Sequence, residues 1–258
     1  MPSEASLPLA AVYAFLLVLA RVSGALIFTP MPGLSASPEP ARIFFSLSLT
    51  VALYPLWPAV KPLPGMGLLA VWLLAETALG ITIGLVVGFL AEAFAMFGQI
   101  SGLQAGYSFA STVDPNTQAD STVFVIMSQT IAGLLFFALG LHREVLRVLA
   151  RSLETTPPGS FVLAPATAER IVRLGSTIFS TGLRLAMPVV ALLLMVDLAL
   201  ALLGRINAQL QLLILAFPAK MMAALALLAA TAAMFPRVYR ECAMRLFEML
   251  PGLLGWHG

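Results

Sequence analysis

Six ionisable residues, Arg21, Glu76, Glu92, Arg184, Asp197 and Lys220, stand inside long apolar runs of this chain. Charges in such places either relay ions along a water-lined path or lock helices in register through buried pairs. A charge at a lipid-exposed helix centre costs about 2.5–3.5 kcal/mol on translocon scales, so all six are expected to face protein or water. Asp197 and Lys220 lie symmetrically about the Ile206–Gln211 turn, and an antiparallel hairpin there brings them together as an ion pair. Glu76 and Glu92 flank a stripe of glycines and are expected to face protein.

Other chemistries find no residues to carry them. The single cysteine, Cys242, excludes an internal disulfide, and with His142 and His257 far apart no zinc or iron spacing exists. No nucleophile–base pattern stands out, and there is no Gly-x-x-x-x-Gly-Lys-Ser/Thr phosphate loop. The chain is therefore read as non-enzymatic, with no cofactor and no metal. Net charge is +2, and the pI of 9.0 reflects few acids. No clustered basic face suggests nucleic acid.

The elements that position these charges follow from composition. Of 258 residues, 60% are hydrophobic and 10% charged, with mean hydropathy +0.98, where soluble domains carry about 25% charged residues. Such a chain is an integral membrane protein, or one whose apolar surface is covered by partners. Six apolar runs approach the roughly 20 residues that cross a bilayer as helix: Pro8–Thr29, Ile43–Val60, Gly67–Phe97, Val123–Leu141, Ser176–Gly204 and Leu212–Phe235. Isolated strands would leave backbone groups unpaired in lipid, so the fold is all-α, one unit over residues 1–258. The first run is not a cleavable signal, because Met1–Ser6 carries Glu4 and no basic residue. Proline clusters at 30–40 and 55–64 punctuate the chain, and kinks are expected at Pro188 and Pro218. With six crossings, nine Lys/Arg fall on the side of both termini and two on the other, which predicts cytoplasmic termini. His142–Glu154, with Leu146, Leu149 and Leu153 opposite three arginines, and Pro236–Leu250 are expected as amphipathic interfacial helices or docking sites for a soluble partner.

In the third run, Gly80, Gly84 and Gly88 recur every four residues, and Gly98, Gly102 and Gly106 do so again, with Ala91 and Ala95 on the same stripe. Glycine in a helix interior costs about 1 kcal/mol relative to alanine. Close helix approach away from water justifies it, either within one bundle or, as the sharper reading of Gly80, Gly84, Gly88 and Gly98, against other subunits. A continuous helix over Gly67–Gly106 would reach about 60 Å, twice the hydrocarbon thickness of about 30 Å, so it breaks, tilts or leaves the bilayer.

The connection 98–122 is small, polar and free of basic residues, and longer than the usual helix–helix link of about 2–8 residues. Tyr107, Phe109 and Val113 add apolar bulk, and Asp114-Pro115 favours a turn. The segment is a candidate gate or re-entrant element, against an ordinary exposed loop.

Gly-Leu-Gln-Ala-Gly-Tyr-Ser-Phe-Ala-Ser-Thr-Val-Asp-Pro at 102–115 resembles the Gly-x-Gln-x-Gly-x-x-Phe-Ala-Ser-x-Val-Asp-Pro stretch of the FliR family of flagellar biosynthesis proteins. Ala20-Arg21-Val22, Pro40-Ala41-Arg42, Leu153 with Pro157-Pro158-Gly159, Leu183–Leu194 followed by Asp197, and Ala216–Lys220 agree in order, so the resemblance covers nearly the whole chain. Tyr107-Ser108 and Asn116-Thr117 depart from the family's commoner pairs. The resemblance implies a core subunit of the flagellar type III export gate beside FliP-like and FliQ-like subunits and other export-apparatus membrane proteins. It implies tilted helical hairpins in a hetero-oligomer partly raised from the lipid of the bacterial inner membrane, at the flagellar basal body, conducting unfolded exported proteins. It also implies that the loop matching 102–115 plugs the pore, which makes Gly102, Gln104, Gly106, Phe109, Ala110, Ser111, Val113, Asp114 and Pro115 the plug candidates. The alternatives are a homologous injectisome export-gate subunit and, more distantly, a secondary transporter coupling through Glu76, Glu92 or Asp197.

Overall fold

The computed structural model of the chain describes residues 9–30, 39–107, 123–162, 165–206 and 212–256. Every regular element among them is helical: α1 Leu9–Phe28, α2 Glu39–Ala52, α3 Met66–Ala105, α4 Val123–Ala138, α5 Leu141–Thr155, α6 Pro165–Ile206, α7 Leu212–Thr231 and α8 Phe235–Leu253. Short 3-10 turns follow α2 at Tyr54–Leu56 and α7 at Ala232–Met234.

Among the described residues, four helical stretches are long and apolar enough to cross a membrane: Leu9–Phe28, Met66–Ala105, Thr167–Arg205 and Pro218–Leu253. A fifth counts if α4 and α5, parted by a sharp bend at Gly140, form one span. This replaces the expected six. The run Ile43–Val60 fails because Pro55 and Pro58 interrupt it, leaving α2 with 14 residues, about 21 Å at 1.5 Å per residue. The count of basic residues assumed six crossings, more than the four or five stretches of spanning length among the described residues. α3 runs unbroken for 40 residues and α6 for 42, with Pro188 inside α6 and Pro218 inside α7. The tail read as a separate interfacial helix joins the α7 span through one 3-10 turn.

α3 ends where Gly106 adopts a left-handed φ of 87°. The Gly106 N–H donates to the Leu103 carbonyl at 3.1 Å and the Tyr107 N–H to the Gly102 carbonyl at 3.0 Å. That pairing is a Schellman cap, which needs a residue tolerant of positive φ. The last member of the second glycine ladder thus terminates the helix instead of packing it.

The chain divides into two compact units. The first comprises residues 1–88, 136–174 and 243–258. Its core is the contact of α1 with the first half of α3. A methyl group on Gly80 or Gly84 would strike the carbonyls of Arg21 or Ala25, one on Gly88 would lie 2.7 Å from the Phe28 carbonyl, and one on Gly24 would lie 2.7 Å from that of Thr77. The stripe is therefore filled by the chain's own α1, and the close approach it required is met inside the molecule. Val18, Val22 and Leu26 then pack with Leu153 of α5, bordered by Leu49, Leu53, Leu56 and Trp57. α5 buries Leu141, Val145, Leu149 and Leu153, while Leu146, expected on that face, is exposed.

The second unit comprises residues 89–135 and 175–242. Its centre is aromatic, with Phe94 5.1 Å from Tyr239 and 5.7 Å from Phe235, and Phe97 5.5 Å from Phe235 and 6.2 Å from Phe124, between ring centroids. A methyl on Gly98 would lie 2.7 Å from Ser128 Oγ of α4, and one on Gly182 would lie 2.8 Å from Met96 Cβ. In the apolar 18-residue stretch of each span, 44% of α1 and 50% of α3 is buried, but only 17% of α6 and of α7–α8. In the latter two, most of that stretch is left uncovered by the rest of the chain.

Replacing Gly84 by Leu forces α1 from α3. The expected loss is at least the roughly 1–3 kcal/mol of overpacking, read as a lower melting temperature of the detergent-solubilised protein. Gly67→Ala, where nothing lies within 4 Å, serves as the neutral comparison. Equal melting of both variants would show that the α1–α3 contact does not limit stability.

Candidate functional site

Two polar centres hold four of the six intraspan charges, one centre in each unit. In the first unit Arg21, 1% exposed, projects from α1 towards α3 and α5. Its Nε donates to Glu76 Oε2 and its Nη1 to the Ser152 carbonyl. Nη1 also donates to Ser152 Oγ at 3.1 Å, and Nη2 to the Thr156 carbonyl at 3.2 Å. The guanidinium thus sits at the C-terminal end of α5, where the helix dipole favours a cation, and shares the Ser152 carbonyl with the Thr156 N–H that caps the helix. Glu76, equally buried, uses its other oxygen to accept the Gly159 N–H at 3.2 Å. Gly159 has φ of 72°, and Trp72 fills the space a side chain would need. Trp256 Nε1 donates to Thr156 Oγ1 at 3.0 Å and its ring lies 5.4 Å from the Arg151 guanidinium, which brings the C-terminal turn to the same corner.

This centre is a lock. Taking an ion pair out of water is offset only when the remaining donors and lone pairs are satisfied, as they are here. Coordination of three helices by one side chain is what the glycine contact makes possible, since Arg21 and Gly80 meet at the point of closest approach.

In the second unit Lys220 Nζ of α7 lies 2.8 Å from Asp197 Oδ1 and 3.0 Å from Oδ2 of α6. The pair expected from symmetry about the turn is present. The Asp197 side chain keeps 39% of its surface exposed and that of Lys220 16%. A third group joins them that spacing did not suggest as a partner: Gln104 Nε2, in the last turn of α3, donates to Asp197 Oδ2 at 3.1 Å. Beyond the helix cap, the Tyr107 hydroxyl donates to the Met221 carbonyl at 3.4 Å, and its ring lies 5.8 Å from that of Phe124. Burial pushes the Tyr107 phenol above its usual pKa. The chain therefore enters segment 108–122 from a root held on α6 and α7.

Of the plug candidates, Gly102 is buried in α3, Gln104 belongs to this root, and Gly106 forms the cap. Phe109, Ala110, Ser111, Val113, Asp114 and Pro115 lie outside the described residues. Glu92 joins neither centre. It is exposed, because it stands about 100° around the helix from Ala91 of the stripe, and among the described residues it makes no ion pair. Arg184 is likewise exposed on α6. Sequence reasoning named Gly159 only within the Pro157-Pro158-Gly159 stretch, and it missed Gly24 and Trp72. Ala20 and Gly24, four apart on α1, carried the readable signal for Gly24. Nothing local marked Trp72.

Apolar helices of membrane-spanning length, with paired charges at their contacts, define an all-helical integral membrane protein. The family model described as bacterial export proteins, family 1, matches residues 12–246, and the chain belongs to that family. It is similar to proteins named flagellar biosynthetic protein FliR. With that of Escherichia coli K12 it is 30% identical over 237 residues, covering 92% of this chain and 90% of the relative. With that of Caulobacter vibrioides it is 32% identical over 223 residues, covering 84% and 88%. With that of Bacillus subtilis it is 26% identical over 215 residues, covering 80% and 81%. Both polar centres fall inside the matched region.

Arg21→Ala leaves the buried Glu76 carboxylate without its cationic partner and the Thr156 carbonyl without the guanidinium, while the Ser152 carbonyl keeps the Thr156 N–H and Glu76 the Gly159 N–H. The expected cost is about 3–5 kcal/mol, seen as loss of folded, detergent-extractable protein and a lower melting temperature. Wild-type melting of Arg21→Ala would show that the pair adds nothing to stability.

Proposed function

We propose that the chain is a core membrane subunit of a flagellar type III export gate, in which the segment 102–115 plugs the pore that passes unfolded flagellar proteins across the bacterial inner membrane at the basal body. The observation that carries this reading is the near full-length likeness to relatives named FliR, joined to membership of an export family. Those relatives are flagellar by name, which favours this reading over an injectisome subunit. Membership of an export family sets the secondary transporter aside.

The structure supports the reading in two ways. The plug segment departs from a capped helix end whose last turn is tied to α6 and whose first following residue is tied to α7, as a plug needs if it is to close at one place. α6 and α7–α8 leave large apolar surfaces uncovered, and α6 carries the exposed Arg184 among them. FliP-like and FliQ-like subunits are the partners proposed to cover them in a hetero-oligomer of tilted hairpins. The role is non-enzymatic and uses no cofactor. The chain gates, and energy for export comes from other components.

Two measurements test this. Affinity-tagged protein expressed with the FliP-like and FliQ-like proteins of its own genome is expected to co-purify with both. Deleting residues 106–115 in the assembled complex is expected to make cells leak small solutes. A complex that forms without this chain, or one as tight after the deletion as before, would overturn the assignment or the plug, respectively.

A further inference from the structure

We propose that a groove between α1 and α2 binds one anionic phospholipid, with an acyl chain laid between the helices and the phosphate on Arg42. The groove has a volume of about 310 Å³, at the low end of the roughly 300–1,000 Å³ of ligand sites, which are mostly apolar with a few placed polar groups. Leu19, Leu26, Ile27, Ile43 and Leu47 line it with hydrocarbon. The two serines in its walls bond to their own helices. Ser23 Oγ donates to the Ala20 carbonyl at 3.1 Å and Ser46 Oγ to the Arg42 carbonyl at 2.8 Å. Neither hydroxyl proton is offered to an occupant, so the interior suits an apolar chain. The one charge in the lining is Arg42, which is exposed.

Position in the fold selects a lipid as the occupant. α1 has 20 residues and spanning length, about 30 Å at 1.5 Å per residue, so its two ends stand near the two surfaces of the hydrocarbon layer. Trp57, just beyond α2, lies 5.5 Å from Phe15 in the first half of α1, between ring centroids, whereas Arg42–Leu47 face Leu19–Ile27 in the second half. α2 therefore runs back along α1, and Arg42 stands at the end of the groove nearest the last turn of α1. A phosphate there is at the membrane surface while its chain descends towards Leu19. Ile43 and Phe44, 60% and 74% exposed, give the rim an apolar face. A guanidinium matches phosphate oxygens with paired, charge-assisted hydrogen bonds, and basic pockets between spanning helices take lipid head groups in this way. A neighbouring helix, about 10–12 Å across, is too wide to enter a groove of this volume.

The full-length protein, purified in mild detergent, is given equal amounts of phosphatidylglycerol and phosphatidylcholine with the same acyl chains, and the lipid it retains is counted by native mass spectrometry. Wild type is expected to retain phosphatidylglycerol about tenfold over phosphatidylcholine, which corresponds to about 1.4 kcal/mol. Arg42→Gln is expected to bring the two lipids to parity with phosphatidylcholine retention unchanged. Arg143→Gln, at an exposed arginine on α5, is expected to keep the preference. Ser46→Phe fills the groove and is expected to lose both lipids. Where its melting shows that Ser46→Phe does not fold, Ser23→Leu, at a half-buried position on the facing wall, takes its place. Equal retention of the two lipids by wild type, a preference that survives Arg42→Gln or vanishes equally in Arg143→Gln, or lipid retained by a folded, filled groove would overturn the proposal. In cells making the complete gate, a photo-crosslinking benzoylphenylalanine in place of Ile43 is expected to capture phospholipid. Capture of a neighbouring subunit instead would show that protein fills the groove and would also overturn it.

Discussion

The contact between α1 and α3 is the constraint on which the first unit depends. In lipid or among packed helices there is little water to expel, so association rests on close packing and on hydrogen bonds. Gly80, Gly84 and Gly88 on one side and Gly24 on the other let two backbones approach until a single methyl would strike a carbonyl. Arg21 stands at that approach. Its carbonyl faces Gly80 and its side chain reaches Glu76 four residues earlier on α3, then the end of α5. Widening the contact would pull the guanidinium from its partners, and losing the guanidinium would leave a buried carboxylate without its cation at the end of α5. Packing and charge at this point each depend on the other.

The two units treat charge differently. The first withdraws an ion pair fully from solvent and surrounds it with backbone donors and acceptors, which suits an element that holds three helices in register. The second leaves its pair part-exposed and lends one carboxylate oxygen to a side chain at the end of α3. That contact keeps access to solvent and rests on one hydrogen bond from an amide to a carboxylate. That difference fits a rigid scaffold in one unit and an adjustable attachment in the other. The uncovered faces of α6 and α7–α8 fit a subunit completed by its neighbours.

Much of the architecture was legible in the sequence because its causes are local. Apolar runs demand helix in a membrane. Pro55 and Pro58 end one such run early, and Gly106 ends another through its backbone freedom. The Asp197–Lys220 pair was legible as well, since a hairpin makes partners of residues equidistant from its turn. The 102–115 segment carried the family resemblance directly, although six of its nine named positions lie outside the described residues. The six-span count was too high because hydropathy registers Ile43–Val60 as one run and gives the prolines within it too little weight.

What the sequence by itself determined, then, is the class: an all-helical membrane chain, the side of α3 where a neighbour must come close, and the family to which its motifs point. Tertiary structure alone decided which neighbour comes. It set α1 of the same chain against the glycines, joined Arg21 to Glu76 across 55 positions, turned Glu92 outward, and brought Gln104 to Asp197 across 93. The physical reason is that helical periodicity tells where a side chain points around its own axis but not which helix it meets. That is settled when all the helices pack at once, and the partners of a buried charge are settled with it.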